Sequence, residues 1–336
     1  MTRRGFLGTV AAATGGVALG GLGLAWQNRR RQPPARVTIL KATSYTDDLS
    51  DLIRRGLQHY PHVLQRVKGG RVVLKPNMVE YYEAHRVNTN PLVVAAAIDA
   101  FRAAGAGQVI VAEGPGHRRD TEALLEQTGL DEVLIHEKAP FVDLNHDSIH
   151  PVPLSVNYTK LGRLFLPATI LGADLVVSMP KLKTHHWAGF TLSLKNMFGV
   201  VPGVKYGWPK NLLHWRGIHE SVVDINLTVQ PGFAIIDGIE GMEGDGPLFG
   251  ETVHAGVLIM GDNLAAVDAT GARVMGLYPE HVPYMQMITQ HGGTVHESRI
   301  EQCGEPIAAV RQDFSVVDYL AILKQPPPLM ASIKGL

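Results

Sequence analysis

Residues 173–203 have the sequence ADLVVSMPKLKTHHWAGFTLSLKNMFGVVPG. The apolar run at residues 173–179 predicts a buried β-strand, because it is short and continuous. Residues 180–203, which follow it, carry three lysines, two histidines and an asparagine. Open α/β sheets bind their ligands at the carboxyl ends of parallel strands. The stretch therefore predicts an α/β fold whose active site begins directly after this strand.

Strands and helices are predicted to alternate on both sides of this stretch. Further strands are predicted at residues 36–40, 71–75, 108–112, 233–237 and 254–260. Helices are predicted at residues 48–60, 91–105, 121–129, 219–230, 263–275 and 280–291. Asn90 is expected to cap the second helix and Gly129 to close the third. This order is typical of a two-lobed, Rossmann-like α/β fold with a mostly parallel, doubly wound sheet, to which residues 141–166 would add antiparallel strands.

The composition excludes several classes of protein. The 336 residues include 31 Lys+Arg and 31 Asp+Glu, so the formal charge is zero and nothing indicates nucleic-acid binding. Cys303 is the single cysteine. The chain therefore cannot form an intramolecular disulfide framework, nor hold an iron–sulfur cluster with four cysteines of its own.

The N-terminus resembles a twin-arginine export signal. Arg3 and Arg4 precede Phe6-Leu7 and a weakly apolar stretch that reaches residue 26. We expect residues 1–35 to be a signal or membrane anchor plus linker, and residues 36–325 to form the two-lobed α/β domain. The protein is then periplasmic or otherwise extracytoplasmic. Its partners would include the twin-arginine export machinery, and it would touch the membrane only through this segment.

Two other strand ends carry candidate site residues. Lys75 and Asn77 follow a predicted strand, where a lysine can neutralise a carboxylate or phosphate and an asparagine can orient it. A Pro-Asn turn can also simply end a strand. His117 follows a glycine-containing loop after another strand. Backbone amides there can bind an anion and a histidine can transfer protons, although a loop histidine can equally be solvated.

Residues 180–203 carry the remaining candidates for catalysis and anion binding. Lys181 and Lys183 alternate along the chain, so both can face one side of an extended segment and bind an anion, together with Asn196. His185 and Lys195 are ten residues apart. Histidine can transfer protons or ligate a metal, and lysine can bind an anion or attach a cofactor. The apolar neighbours of these residues indicate a half-buried setting and argue against a basic surface loop.

Five further residues are candidate metal ligands. His214 and His219 could ligate a metal, or His219 could belong to an ordinary helix start. Asp237, Glu240 and Glu243 lie among glycines after a predicted strand, where carboxylates can bind a hard cation or substrate hydroxyl groups. The spacing does not match an EF-hand, and a solvated acidic turn is the alternative.

Taken together, several motifs resemble the family called domain of unknown function 362. The resemblance covers residues 36–300. The motifs are Lys75-Pro76-Asn77, Pro180-Lys181-Leu182-Lys183-Thr184-His185, Leu194-Lys195-Asn196, Asp237-Gly238 and Gly244-Asp245-Gly246-Pro247. Some members carry ferredoxin-type cysteine clusters, and this chain lacks them.

A second resemblance is to the nickel-pincer lactate racemase group. It rests on Gly116-His117-Arg118, His185 followed by Ala188-Gly189-Phe190, Lys195, and Pro202-Gly203. The resemblance implies that Lys195 carries the pincer nucleotide and that His117 and His185 are the proton-transfer pair. It also implies that His214 or His219 is a nickel ligand. A common fold does not by itself carry a common cofactor.

These observations favour an exported enzyme that acts on a small anionic molecule, with a racemase- or epimerase-like proton transfer as the most concrete form. The expected cofactor is a nickel-pincer nucleotide or a divalent metal. One alternative is a non-catalytic periplasmic protein that binds an anion or takes part in cofactor maturation. Another is a Mg²⁺-dependent phosphoryl-transfer or ligase-type enzyme, although no P-loop is present.

Overall fold

A ten-stranded sheet organises the protein. The structure is a computed structural model, and it describes residues 33–116 and 120–328. From Ala35 onward the chain forms one compact unit. Residues 1–32, with most of the predicted export signal, lie outside the described ranges. Within those ranges no helix is both long enough and apolar enough to cross a membrane.

The strands are numbered in chain order. They are β1 (Ala35–Lys41), β2 (Arg71–Pro76), β3 (Gln108–Glu113), β4 (Phe141–Asp143), β5 (Ile149–Pro153), β6 (Arg163–Pro167), β7 (Leu175–Met179), β8 (Lys181–His185), β9 (Gly189–Thr191), β10 (Phe233–Glu243), β11 (Glu251–Gly261) and β12 (Ile300–Gly304). The antiparallel pair β5–β6 forms a separate small sheet, as the weak alternation in that part of the sequence suggests.

The α-helices are numbered in the same way. They are α1 (Leu49–Leu57), α2 (Pro61–Val67), α3 (Pro91–Ala103), α4 (Thr121–Thr128), α5 (Leu130–His136), α6 (Ala168–Leu171), α7 (Ser193–Asn196), α8 (Gly203–Tyr206), α9 (Asn211–Trp215), α10 (Ile218–Val229), α11 (Leu264–Val274), α12 (Pro283–Thr289) and α13 (Ile307–Val310). Short 3₁₀ helices occur at Met197–Val200, Pro279–His281, Glu297–Arg299 and Asp318–Lys324. Asn90 caps α3 and Gly129 closes α4 in the left-handed conformation, as predicted.

The large sheet is mostly parallel. Its order is β12-β1-β11-β10-β7-β2-β3-β4, with β8 paired to β10 and β9 paired to β8. Of the nine pairings between described strands of this sheet, six are parallel. The antiparallel pairings are β1–β11, β10–β11 and β8–β9. The predicted α/β class is therefore confirmed.

Helices cover both faces of the sheet, as a doubly wound fold requires. Successive side chains of a strand point to opposite faces. In β2, Val72 and Leu74 pack into one hydrophobic cluster together with α3, whereas Val73 packs into another together with α10 and α11. Strands that are buried on both faces must be apolar throughout. For this reason β2, β3 and β7 appear in the sequence as short continuous apolar runs.

Strand β10 extends well beyond the predicted residues 233–237. It continues to Glu243 because it pairs with β11 along its length, from Ala234 opposite Gly261 to Glu243 opposite Glu251. Gly241 permits this path, since a side chain there would overlap the backbone oxygen of Leu182. The segment that carries Asp237, Glu240 and Glu243 is therefore strand, and the alternative of a solvated acidic turn is wrong.

Candidate functional site

A cavity of about 220 Å³ lies at the carboxyl ends of β2 and β3, beside the hairpin β8–β9. Six of the predicted site residues line it: Lys75, Asn77, His185, Lys195, Asn196 and His214. Glu113, Gly114, Gly116, His186, Trp187, Thr191, Phe198, Gly199, Pro209 and Lys210 also contribute to its wall. The edge of the sheet where ligands bind in open α/β folds thus gathers six of the thirteen predicted site residues.

Lys75 forms a buried ion pair with Glu113 at the base of the cavity. Its Nζ lies 2.5 Å from Glu113 Oε2 and also donates to Asn196 Oδ1 (2.8 Å) and to the backbone oxygen of Pro76 (2.9 Å). The side chains of Lys75 and Glu113 are each 1% exposed. Burial lowers the pKa of Lys75, and the carboxylate opposes that shift. All three ammonium hydrogens are engaged, so none is left for the substrate anion that the sequence had assigned to Lys75.

Gly199 packs directly against this ion pair, and we expect Gly199→Ala to destabilise the protein by about 1–3 kcal/mol. A methyl group at this position would overlap both Glu113 and Lys75, which are too tightly held to move away. The matched control is Gly116→Ala, because the nearest atom to a methyl group there is 3.8 Å away on Pro209. Urea denaturation measures both variants, and equal stability would contradict the tight packing.

Among the described lysines that line the cavity, Lys195 is the one without a polar partner in the described ranges. Its Nζ lies 4.1 Å from the centre of the Phe198 ring and makes no hydrogen bond or ion pair with any residue in the described ranges. Burial, and to a lesser extent the charge of Lys75, lower the pKa of Lys195 to about 7. The amine is therefore neutral in a large fraction of molecules at neutral pH, and a bound anion would draw it towards the charged form.

Asp268 of α11 fixes the short helix α7 that carries Lys195. Its carboxylate accepts hydrogen bonds from the backbone amides of Ser193 (2.7 Å) and Leu194 (2.9 Å), and from the Ser193 hydroxyl. Burial raises the pKa of Asp268 to about 7, and these hydrogen bonds oppose the shift. A helix of four residues cannot form by itself. The position of Lys195 therefore depends on Asp268.

We expect Asp268→Ala to lower the free energy of unfolding by about 3 kcal/mol, because it leaves two buried amides without acceptors. The control is Asp48→Ala. Asp48 also caps a helix, accepting from the amide of Asp51, but it does so at the surface. Loss of such an exposed cap costs about 1 kcal/mol. Thermal or urea denaturation compares the two variants, and similar losses would argue against the anchoring role.

His185 and His214 are opposite neutral tautomers. Nδ1 of His185 accepts from the backbone amides of Trp187 (3.1 Å) and Ala188 (3.3 Å), so the neutral ring carries its hydrogen on Nε2. Nδ1 of His214 faces the backbone oxygen of Lys210 at 3.1 Å and must donate, which leaves Nε2 as an acceptor. Burial lowers the pKa of both rings, and the charge of Lys195 acts in the same direction. Both histidines are therefore neutral at neutral pH.

Lys210 is a cavity residue that the sequence analysis missed. Its Nζ donates to the backbone oxygens of Gly114 (2.8 Å), Phe198 (3.1 Å) and Gly199 (3.2 Å), and burial lowers its pKa to about 7. It holds the loop after β3 against the 3₁₀ helix that follows α7. Lys210 lies in neither a strand nor a strand end, so no sequence pattern marked it.

The family match can be placed on this geometry. The model of the family described as Domain of unknown function (DUF362) matches residues 72–273, a range that contains the residues named above as lining the cavity. The chain belongs to this family. A thylakoid-associated protein of Synechocystis sp. is 28% identical over 258 residues, which are 74% of this chain and 77% of that protein.

Two solved structures are similar to this DUF362 chain. The lactate racemase apoprotein from Thermoanaerobacterium thermosaccharolyticum has a TM-score of 0.41 and 15% identity, over 68% of this chain and 55% of that one. A Thermotoga maritima protein has a TM-score of 0.37 and 13% identity, over 65% of this chain and 56% of that one. The chain thus spans a little over half the length of either structure.

Lys181 and Lys183 lie outside the cavity, contrary to the sequence prediction. Lys181 Nζ pairs with Asp237 (2.9 Å) and contacts the Tyr45 hydroxyl (2.7 Å). Lys183 Nζ donates to the backbone oxygen of Val87 at 2.7 Å, and burial lowers its pKa well below the ordinary value. Both lysines are enclosed because β8 pairs with β10 and with β9 inside the sheet. They stabilise the framework, and neither faces a ligand in the cavity.

The five predicted metal ligands do not come together. Asp237 pairs with Lys181 (2.9 Å), Glu240 pairs with Arg86 (2.7 Å), and Glu243 accepts from the amide of Ser315 (2.8 Å). The ring of His219 stacks on Tyr284, and His214 faces the backbone oxygen of Lys210. Of the five, only His214 lines the cavity. The acidic residues are separated because the segment is an extended strand, in which residues three apart lie about 10 Å from one another.

The nickel-pincer nucleotide implied by the second resemblance can be tested against these residues. Lys195 offers an amine without a partner among the described residues, and His214 offers a free Nε2, which match the attachment and ligand roles. Residues 33–116 and 120–328 contain no group of three side chains that could hold a metal ion. His117 lies outside the described ranges. The described site does not form a metal centre by itself, and we derive no step through a metal or nucleotide.

Proposed function

We propose that this protein is an enzyme that transfers a proton on a small anionic substrate, as racemases and epimerases do. One observation carries the proposal: an unpaired lysine and two neutral histidines with opposite free ring nitrogens line the same small cavity. In this arrangement Lys195 supplies the charge, His185 a hydrogen-bond donor and His214 a proton acceptor.

The charge balance of the cavity favours an anion. Lys75 is neutralised by Glu113, whereas Lys195 and Lys210 have no carboxylate within ion-pair distance among the described residues. Lys210 is held by backbone oxygens, so Lys195 is the group that can meet a carboxylate or phosphate directly. A volume of about 220 Å³ lies below the range of about 300–1,000 Å³ typical of sites for larger ligands. The substrate is therefore a small molecule.

The two histidines have different roles in the proposed transfer. His214 Nε2 takes a proton from the carbon next to the anionic group and becomes an imidazolium. The electron pair of the broken C–H bond moves onto the carboxylate oxygens, where Lys195 and the Nε2 hydrogen of His185 stabilise the added charge. The His214 imidazolium then returns a proton to that carbon, which restores the acid and the neutral ring. A proton delivered by solvent to the opposite face inverts the carbon, and His214 then releases its proton to solvent. A neutral histidine is a suitable hydrogen-bond donor for such a developing oxyanion.

Proton exchange in D₂O tests the proposal. The full chain would be incubated with small hydroxy, amino and phosphorylated acids, and deuterium at the carbon next to the acid group followed by NMR. We expect wild-type protein to exchange at least one of them. His214→Gln should lose exchange while retaining binding, and the exposed His136→Gln should change neither. Binding without exchange in the wild type would instead support a non-catalytic anion-binding protein.

Location is a separate proposal. The Arg3-Arg4 pair and the apolar stretch after it support export by the twin-arginine route to the periplasm or another extracytoplasmic compartment. Fractionation of the native host tests this, since Arg3→Lys combined with Arg4→Lys should retain the protein in the cytoplasm. Unchanged distribution of the double variant would remove the proposal.

A further inference from the structure

Two buried polar atoms of the cavity wall have no hydrogen-bond partner among the described residues. They are the side-chain oxygens Asn77 Oδ1 and Thr191 Oγ1. Asn77 is 6% exposed and Thr191 is 4% exposed. Nearly all buried polar atoms in proteins are paired, and an unpaired one destabilises the native state. Two such atoms that line one cavity therefore point to a ligand that forms the missing hydrogen bonds.

The backbone on both sides holds these two residues in place. The amide of Asn77 donates to Thr89 Oγ1 at 2.8 Å, and its backbone oxygen accepts from the amide of Thr89 at 2.9 Å. Thr191 lies opposite Lys183 in the pairing of β9 with β8. Because the main chain is held at both positions, both residues keep their places in the lining of the cavity.

We propose that Asn77 and Thr191 form a polar subsite that receives a hydroxyl or amine group of the ligand while Lys195 binds its anionic group. The amide oxygen of Asn77 can only accept, so its partner must be an O–H or N–H donor, and the Thr191 hydroxyl can either donate or accept. The ligand is then a small anion that carries a hydrogen-bond donor. This inference rests on the proposed function, because it uses the same cavity and the same lysine.

Matched pairs of probes test the subsite by titration calorimetry at pH 6. One pair is glycolate and acetate, and the other is 2-aminoethylphosphonate and ethylphosphonate. Within each pair only the first compound carries a hydroxyl or ammonium donor on its carbon chain. We expect it to bind about 10- to 100-fold more tightly, because the second leaves buried oxygens unpaired.

Three variants locate the effect. Thr191→Val and Asn77→Leu should each reduce the preference within both pairs while changing the affinity for acetate and ethylphosphonate less than about twofold. The control is Thr270→Val, because the Thr270 hydroxyl is also buried without a partner but lies away from the cavity. Thr191→Val should not lower the melting temperature of the ligand-free protein, since no hydrogen bond is lost. A structural threonine would show the opposite.

The outcomes separate this inference from the proposed function. Equal affinities within both pairs, with binding still dependent on Lys195, would overturn the subsite and leave the anion-binding cavity intact. A preference that survives both Thr191→Val and Asn77→Leu would also overturn the subsite. Absence of binding for all four probes would overturn the proposed function and the subsite together.

Discussion

Replacing Glu113 by glutamine is expected to lower the free energy of unfolding by about 3–5 kcal/mol. The substitution keeps the shape of the side chain but removes its charge, so the Lys75 ammonium is left buried without a counter-ion. Lys75 must then either remain charged in an apolar setting or lose its proton, and both states are costly. Asn196, which accepts from the same Nζ, cannot replace the lost charge.

Urea denaturation of three variants measures this effect. Glu113→Gln is compared with Glu301→Gln, which removes an exposed ion pair with Arg36 and should cost at most about 1 kcal/mol. The double variant Lys75→Met with Glu113→Leu removes both charges and should recover much of the loss. A loss below about 1 kcal/mol for Glu113→Gln would contradict the view that this pair anchors the ends of β2 and β3.

Anion binding is expected to weaken about tenfold for each pH unit above pH 7, because it requires the charged form of Lys195. The pKa of this lysine is lowered to about 7, so the ammonium predominates below that pH and is lost above it. Binding of glycolate would therefore be constant in mildly acidic solution and decline from pH 7 to pH 9. The substitution Lys195→Met should reduce the affinity for the anion at pH 6 about 100-fold.

Lys195→Arg tests the assignment of this pH dependence. Arginine stays charged throughout the range, so the decline between pH 7 and pH 9 should largely disappear. The matched control is Lys205→Met, since Lys205 lies over the Phe165 ring at 4.2 Å much as Lys195 lies over Phe198. Calorimetry across this range compares the variants. A flat profile for the wild type, or an unchanged decline in Lys195→Arg, would show that another group controls binding.

Local sequence was sufficient for the framework and for the place of the cavity. Short apolar runs predict β2, β3 and β7 because these strands are buried on both faces. The rule for strand ends directs attention to Lys75, Asn77 and residues 180–203. His185 and Lys195 lie ten residues apart, on either side of the short strand β9, and this is why they line the same cavity.

Partners between distant segments were beyond the sequence. Lys181 and Lys183 appeared to be anion ligands because their alternation is visible, but the pairing of β8 with β10 that encloses them is not. Glu113 was not among the predicted site residues, although its charge compensates a lysine 38 positions earlier in the chain. Lys210 could not be found, because only the folded chain supplies the three carbonyl groups that hold it.

Because Asp268 anchors α7, the cavity is completed only late in the synthesis of the chain. The two amides that Asp268 holds lie 75 and 74 residues earlier in the chain. A growing chain that has reached only Lys195 contains this lysine, His185 and the strands β2 and β3 at the base of the cavity. It lacks Asp268, which fixes α7. The amine of Lys195 therefore reaches its place only after α11 has been synthesised and packed, so the unfinished chain lacks the completed cavity.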